Sequence, residues 1–257
     1  MTQKVSRSLI AVVLAATMVF GAVTVGAVAA TGADTSSHTD TAQNAAYLSV
    51  AHASPDAPAV DVYVDNESVL EEVSFGDVSD YLEVTAGTYN VTITVAGDRD
   101  AVVFEGDVTL ERGSAVTVAA SGEVSENATT AFAPRVYEDD ALTPGEDSAA
   151  IRVVHLSPDA PTVDVTTANG EVVLAENVSY GNASEYVTVP AGDYEVEIRV
   201  DTPNANGTVV ATADVSLDSE EAYTAYATGY ASPENAPADT PFRVVLTEDA
   251  TWDVHLP

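Results

Sequence analysis

Apolar and polar residues alternate along most of the chain after residue 47, which is the pattern of β-strands with one buried face. Val60, Val62 and Val64 alternate with more polar residues, and the segment 89–95 has the same period of two. Glycines and prolines interrupt these runs, and no stretch after Ala30 has a helical period. In the first part of the chain, strands are predicted near 48–53, 59–65, 69–75, 81–85, 88–96, 101–110, 115–121 and 132–137.

One module occurs twice in the chain. Residues 52–62, HASPDAPAVDV, recur at 155–165 as HLSPDAPTVDV, and the spacing of residues 73–95 recurs at 178–200. Many short strands in each copy predict an all-β fold with two tandem antiparallel β-sandwich domains, immunoglobulin-like in architecture. We expect this division: 1–29 signal peptide, 30–46 flexible linker, 47–140 first sandwich, 141–148 linker, 149–257 second sandwich.

The N-terminal segment predicts export. Lys4 and Arg7 precede an uncharged apolar run that ends in the small residues 27–29, the form of a signal-peptidase site. An uncleaved anchor is the alternative, since the run is just long enough to span a bilayer. The chain has no cysteine to carry a lipid or form a disulfide. We expect an extracellular or cell-surface location, reached by the general secretory route.

The net charge is strongly negative. Eight Lys and Arg residues stand against 41 Asp and Glu residues among 257, a formal charge of −33. Without the predicted signal, six arginines and no lysine remain, and the charge is −35. Repulsion from phosphate excludes nucleic acid as a partner and excludes attachment to a membrane through a basic patch. The acidic residues are spread along the chain, so we interpret them as a haloarchaeal type of adaptation to salt rather than as one calcium-binding surface.

This charge predicts that stability depends on salt. Molar salt screens the repulsion between carboxylates, and dilute buffer does not. The melting temperature should therefore fall as ionic strength drops. Thermal unfolding in a series of NaCl concentrations measures this, and a constant melting temperature would contradict the interpretation.

The most conspicuous shared motif is H-x-S-P-D-A-P-x-V-D. Its polar residues in the two copies are His52, Ser54, Asp56, Asp61, His155, Ser157, Asp159 and Asp164. Proline restricts the preceding residue to extended backbone, and aspartate accepts backbone N–H bonds in turns. We interpret the motif as a stiff corner between strands, in which Asp56 caps a local turn and Asp61 meets His52 or an arginine such as Arg152.

Two chemical interpretations of the motif stay open. Imidazole and carboxylate groups could bind a metal such as calcium, although the spacing matches neither an EF-hand nor a zinc site, so the metal is unknown. The His, Ser and Asp residue types also suggest a serine hydrolase. However, neighbours on one strand lack the geometry of a triad, and a G-x-S-x-G elbow is absent. We therefore predict no catalytic residues and no cofactor.

On H-x-S-P-D-A-P-x-V-D-V and the A-G-x-Y-x-V-x-I strand, the chain resembles the DUF4397 family over residues 47–250. The resemblance implies β-structure, tandem domains and an extracellular location. It implies no catalytic residues, because the family has no established activity.

The sequence also contains candidate glycosylation sites and indicates the kind of partner. Asn66, Asn127 and Asn206 lie in N-x-S/T sequons within predicted turns and are the candidate N-glycosylation sites. The favoured function is non-enzymatic, with an interaction, adhesion or envelope-structural role towards an envelope glycoprotein or polysaccharide. A calcium- or carbohydrate-binding module is the alternative, and a secreted hydrolase is a further one.

Overall fold

The computed structural model describes residues 44–126, 128–168 and 170–252. The predicted signal peptide, most of the predicted linker after it and Asn127 lie outside these ranges. Within them the chain forms strands and one short 3-10 turn, Pro233–Asn235. No helix in the same ranges is both long and apolar enough to cross a bilayer. The predicted all-β sandwich class is confirmed.

Each repeat contains eight strands. Those of the first repeat are β1 Ala45–His52, β2 Val60–Val64, β3 Glu67–Val73, β4 Leu82–Thr85, β5 Gly87–Val95, β6 Asp98–Leu110, β7 Ala115–Ser121 and β8 Ala133–Glu138. The short strand β9 Ala141–Leu142 follows. Those of the second repeat are β10 Ser148–His155, β11 Val163–Thr167, β12 Val173–Val178, β13 Val187–Pro190, β14 Gly192–Val200, β15 Val209–Leu217, β16 Ala222–Thr228 and β17 Arg243–Asp249, followed by β18 Thr251–Trp252.

The strands of each repeat form two four-stranded sheets. The first repeat has an outer sheet, β3-β2-β5-β6, and an inner sheet, β4-β1-β7-β8; the second has an outer sheet, β12-β11-β14-β15, and an inner sheet, β13-β10-β16-β17. Most neighbours run antiparallel, but β1 pairs with β7 in parallel, and β10 pairs with β16 in parallel. Each inner sheet of the predicted antiparallel sandwich thus contains one parallel pair. Only a tight hairpin forces antiparallel pairing, and these strands are joined through the whole outer sheet.

Three apolar clusters stack the four sheets in the order outer, inner, inner, outer. One cluster fills each sandwich, and a third joins the two inner sheets. The third cluster includes Ala51, Ala119, Leu156 and Tyr226. Inner strands such as β7 and β16 are therefore buried on both faces, whereas the alternating pattern predicted one buried face. Alanines on the second face let the two inner sheets approach closely.

The two repeats belong to one compact unit, and the segment between them takes part in the fold. Ala141 and Leu142, within the predicted linker 141–148, form β9 and pair in parallel with β18. Strand β1 begins at Ala45, inside the predicted linker 30–46. The predicted domain boundaries stay a prediction, but these residues are structured.

Candidate functional site

The two motif histidines lie at equivalent positions, at the ends of β1 and β10. Both side chains are buried, and Nε2 of His52 lies 3.0 Å from the carbonyl oxygen of Pro58. In the second repeat, Nε2 of His155 lies 2.9 Å from the carbonyl oxygen of Pro161. A carbonyl can only accept, so Nε2 carries the proton in each ring. Burial lowers the pKa of both histidines, which keeps the imidazoles neutral.

The Ser and first Asp of the motif bond to backbone far away in sequence. The Ser54 hydroxyl donates to the carbonyl oxygen of Gly122 at 2.6 Å. The Asp56 carboxylate accepts the N–H groups of Val124 and Ser125 at 2.9 and 3.0 Å. Asp56 does lie in a turn, but the expectation that its carboxylate caps this turn was wrong, because its partners lie in the loop after β7.

The second repeat uses these positions in a similar way. The Asp159 carboxylate accepts the N–H groups of Ala231 and Ser232 at 2.7 and 2.8 Å. The buried Ser157 hydroxyl lies 3.5 Å from Asp159, and the Ser157 N–H lies 3.3 Å from Nδ1 of His155. In both repeats the carboxylate therefore holds the loop that follows the central strand of the inner sheet.

The last Asp of the motif holds a residue of the neighbouring outer strand and a residue of a loop. The buried Asp61 carboxylate accepts the N–H groups of Glu72 and Gly97, both at 2.9 Å. Asp164 accepts those of Asn177 and Thr202 at 2.9 and 3.0 Å. Contact of Asp61 with His52 or Arg152 was thus the wrong expectation. Glu72 and Asn177 have positive φ angles, 54° each, so the carboxylate holds a strained bulge in β3 and β12.

These positions do not form an open pocket of reactive groups. The motif histidines bond to carbonyls, and all four aspartates accept backbone N–H groups. No group of three His, Asp or Glu side chains within the described ranges is arranged to hold a metal ion. The chemistry available at the motif is therefore backbone capping.

Two of the candidate sequons lie on exposed turns. Asn66 has a φ of 70° at the tip of the β2–β3 hairpin, and its carbonyl accepts a bond from Arg99. Asn206 lies in the loop before β15, where its amide oxygen accepts the Thr202 hydroxyl at 3.1 Å. Both residues are exposed. Asn127 lies outside the described residues.

An arginine from each repeat packs on an aromatic-glycine pair of the other. The guanidinium carbon of Arg243 lies 4.3 Å from the ring centre of Phe75, and Nη2 donates to the Phe75 carbonyl. The guanidinium carbon of Arg135 lies 5.1 Å from the ring centre of Tyr180. Any side chain at Gly76 or Gly181 would collide with the arginine. We call these two contacts the arginine clasps.

The two arginines are not at equivalent positions, although their sequences align. Arg135 pairs with Ala119 in β7, whereas Arg243 pairs with Thr228 in β16. Thr228 is the counterpart of Ser121, two residues beyond Ala119. The clasps are therefore similar contacts made from two different register positions.

A buried polar network lies between the inner sheets. It comprises Arg152, Asp139, Asp249, Tyr81, Tyr186, Thr117 and Thr224. Arg152 forms an ion pair with Asp139, and both side chains are almost fully buried. Burial raises the pKa of Asp139 in spite of this neighbouring charge. We call this group the central network.

Another cross-repeat contact lies where β7 and β16 end. The Tyr230 hydroxyl donates to Glu123 at 3.0 Å, and Glu123 also accepts bonds from Thr129 and Thr130. These bonds lower the pKa of Glu123, although its burial opposes the shift. The carboxylate is thus held as an ion between the repeats.

The two matching sandwiches agree with a comparison against protein families. A model described as "Domain of unknown function (DUF4397)" matches residues 46–166 and 163–254. The chain belongs to the DUF4397 family. The first stretch covers the first repeat and continues through β10 into β11, and the second stretch covers the second repeat from β11 onwards, so DUF4397 domains occur here in tandem.

Other comparisons add little to this assignment. No curated protein matches the chain. Among solved structures, a family 26 carbohydrate-binding module from Eubacterium rectale in complex with maltoheptaose is 12% identical, with a TM-score of 0.25, over 80% of this chain and 97% of that one. The Bacillus anthracis TIE protein is 10% identical, with a TM-score of 0.22, over 72% and 34%. At TM-scores this low, the similarity gives no information on what the DUF4397 domains bind.

Sequence reasoning found the DUF4397 motif but missed the residues between the domains. Arg135 and Arg243 were counted only as charges, and Arg152 was expected beside Asp61 rather than beside Asp139. The sequence did contain a clue to these contacts, since an aromatic-glycine pair, Phe-Gly or Tyr-Gly, occupies the same place in both copies. Glycine with positive φ at both places, 86° and 81°, marks a required close approach.

Proposed function

We propose that this protein is a non-enzymatic protein of the cell exterior, secreted or cell-surface, with an adhesive or envelope-structural role. Two DUF4397 domains act as one rigid body that bridges components of the envelope. The predicted signal segment and the acidic, lysine-free composition support the location and a salt-rich medium. Export by the general secretory route is part of the proposal.

The observation that carries the proposal is the use of the motif side chains. In both domains the histidines bond to carbonyls, and the aspartates bond to backbone N–H groups. A hydrolase needs a nucleophile and a base within reach of each other and of a substrate. The motif is instead part of the scaffold, which favours binding through surface shape over catalysis.

The layer order determines which surfaces are open to a partner. The inner sheets cover each other, and the outer sheets face in opposite directions. Exposed carboxylates such as Glu105 in β6 and Glu195 in β14 lie on these outer sheets. Two surfaces that face apart suit bridging between two partners rather than double attachment to one.

The proposed partner is an envelope glycoprotein or polysaccharide. Carboxylates accept hydrogen bonds from sugar hydroxyls, and a strongly anionic surface disfavours nucleic acid. Insertion into a membrane is not part of the proposed role. Calcium or carbohydrate binding by a single domain is the alternative.

Glycosylation is a further part of the proposal. Asn66 and Asn206 are exposed on turns at the rim of the outer sheets, where an attached glycan would not disturb the interface between the domains. Asn127 is the third proposed acceptor. Mass spectrometry of the exported protein would detect glycan on these residues.

An envelope-bridging assay tests the function. Cells are fractionated, and the purified full chain is mixed in molar salt with envelope fragments from the cells that produce it. We expect an extracellular or envelope location, sedimentation of the chain with the fragments, and aggregation of the fragments. Glu105→Lys or Glu195→Lys, each on one outer sheet, should preserve attachment through the other sheet but reduce aggregation.

The matched control is Glu185→Lys, which makes the same charge change in an exposed loop beside the second inner sheet. It should bind and aggregate like the wild type. A cytoplasmic location, or an equal loss of aggregation in all three variants, would contradict the proposal. The alternative would be favoured if calorimetry in molar salt detected binding of calcium or an oligosaccharide, and if a substitution in one domain alone abolished that binding.

A further inference from the structure

The central network contains two acids, Asp139 and Asp249, but one base, Arg152. Asp249 is the counterpart of Asp139, because each carboxylate accepts a tyrosine and a threonine hydroxyl. Tyr81 and Thr117 bond to Asp139, both at 2.8 Å; Tyr186 and Thr224 bond to Asp249 at 2.8 and 2.6 Å. Both aspartates are buried, with exposed fractions of 1% and 6%. The two halves of the central network therefore match in their hydroxyl groups.

The halves differ in positive charge. Arg152 pairs with Thr224 in β16, and the equivalent position in the first domain, opposite Thr117 in β7, is Ser49. The Ser49 hydroxyl donates to the carbonyl oxygen of Ser79 and brings no charge. One guanidinium thus serves a site that holds two carboxylates.

Arg152 directs its nitrogens away from Asp249. Nε donates to the Thr224 hydroxyl at 2.7 Å, Nη1 donates to the Glu138 carbonyl at 2.5 Å, and Nη2 pairs with Asp139. Within the described residues, the bonds found at Asp249 come from two neutral hydroxyls. A buried carboxylate with that environment lacks a counter-charge in direct contact.

We propose that Asp249 is a proton-operated latch between the two DUF4397 domains. It takes up a proton in mildly acidic medium, which removes the unpaired charge and tightens the contact. It releases the proton towards neutral pH, which leaves a buried negative charge beside Asp139 and loosens the contact. The proposal is independent of the envelope-bridging role.

The surroundings of Asp249 agree with a protonation that occurs near physiological pH. Burial raises its pKa to about 6, and the nearby Asp139 charge adds to the shift, whereas the Thr224 and Tyr186 bonds and the Arg152 charge oppose it. The other titratable groups that act on this site are the hydroxyls of Tyr81 and Tyr226. Glu248, next in sequence, is exposed and does not share the site.

The sign of the effect follows from the raised pKa. The folded state binds the proton more tightly than the unfolded chain, whose aspartates titrate near the ordinary value of 3.8. The stabilisation is fully present below that value and is lost as pH rises through about 6. The latch is therefore closed in acid and open at neutral pH.

The residues after Asp249 connect its charge to the other domain. The Ala250 N–H lies 3.4 Å from the Tyr81 hydroxyl, and Thr251–Trp252 pairs with Ala141–Leu142. Nε1 of Trp252 donates to the carbonyl oxygen of Asp139 at 3.2 Å. A change in the contact at Asp249 should therefore change the environment of Trp252.

The test uses this tryptophan, the single one in the chain. Emission and acrylamide quenching of the full-length protein are followed between about pH 5 and about pH 8 at constant molar salt. We expect quenching to rise with pH in one transition with a midpoint near 6. Asp249→Asn, which is neutral at all pH values, should abolish the transition and keep the low-pH signal. The control Glu248→Gln should keep the transition and its midpoint.

Several outcomes would overturn the latch. These are a flat wild-type profile, an unchanged transition in Asp249→Asn, or a signal that follows calcium concentration at fixed pH, which would assign the site to a cation. If Asp249→Asn does not fold, infrared spectroscopy of the wild type decides. A carboxylic-acid C=O band that disappears through the same midpoint supports the latch, and its absence at mildly acidic pH overturns it.

Discussion

Replacement of Arg152 by methionine should lower the free energy of unfolding by about 3–5 kcal/mol at neutral pH. The guanidinium is buried, pairs with Asp139, and also bonds to Thr224 and the Glu138 carbonyl. Its removal leaves two buried carboxylates without any positive partner. The loss should shrink as pH falls, because Asp139 and Asp249 both have raised pKa values and become neutral in acid.

Urea unfolding in molar salt at neutral and acidic pH would measure this change. Arg112→Met is the matched control, since Arg112 is exposed in the turn before β7, and its replacement should change stability by less than about 0.5 kcal/mol. If Arg152→Met were no more costly than this control, the central network would not hold the domains together.

Replacement of Asp164 by alanine should cost about 3 kcal/mol of folding stability. Its carboxylate, 1% exposed, accepts the backbone N–H groups of Asn177 and Thr202, and both lose a charged acceptor. Asp214→Ala is the control, because Asp214 is exposed on β15 of the same outer sheet. Thermal and urea unfolding of the two variants in molar salt would compare them directly.

This pair of variants also separates the two interpretations of the motif. If Asp164 were a ligand for calcium or a sugar, its loss would reduce binding and leave stability nearly unchanged. Calorimetry with calcium and oligosaccharides on the same samples provides that comparison. The capping role would be contradicted if the Asp164→Ala protein were as stable as the wild type but no longer bound calcium in calorimetry.

The strands were predictable because their pattern is local. Alternation with a period of two, interrupted by glycine and proline, placed β2 at 59–65 and β5 at 88–96, within about two residues of the observed Val60–Val64 and Gly87–Val95. The duplication was also visible in the sequence. Two copies of one domain have the same turns and strands, so the same residue types recur at the same spacing. Parallel pairing of β1 with β7 leaves no such local trace, because it joins distant segments.

For the motif, the sequence predicted the type of bond but not the partner. The capping capacity of aspartate is a property of the residue, and it predicted a backbone N–H partner for Asp56. Which N–H it reaches depends on a loop that the fold brings beside it, and the partners Val124 and Ser125 lie almost seventy residues away. Asp61 likewise reaches a residue of β3 and the turn between β5 and β6, and leaves His52 to bond to a carbonyl.

Short-range chemistry along the chain is thus sufficient to specify an all-β protein with two copies of one sandwich and a net charge of −33. The association of the two copies into one body arises only in three dimensions. Ser49 and Arg152 occupy the same place in the two repeats, but only the face-to-face packing of the inner sheets brings Arg152, Asp139 and Asp249 together. The energy of an unpaired charge depends on its burial and on its distance from other charges. Both are fixed by the packing of the folded protein, and neither can be read from the sequence.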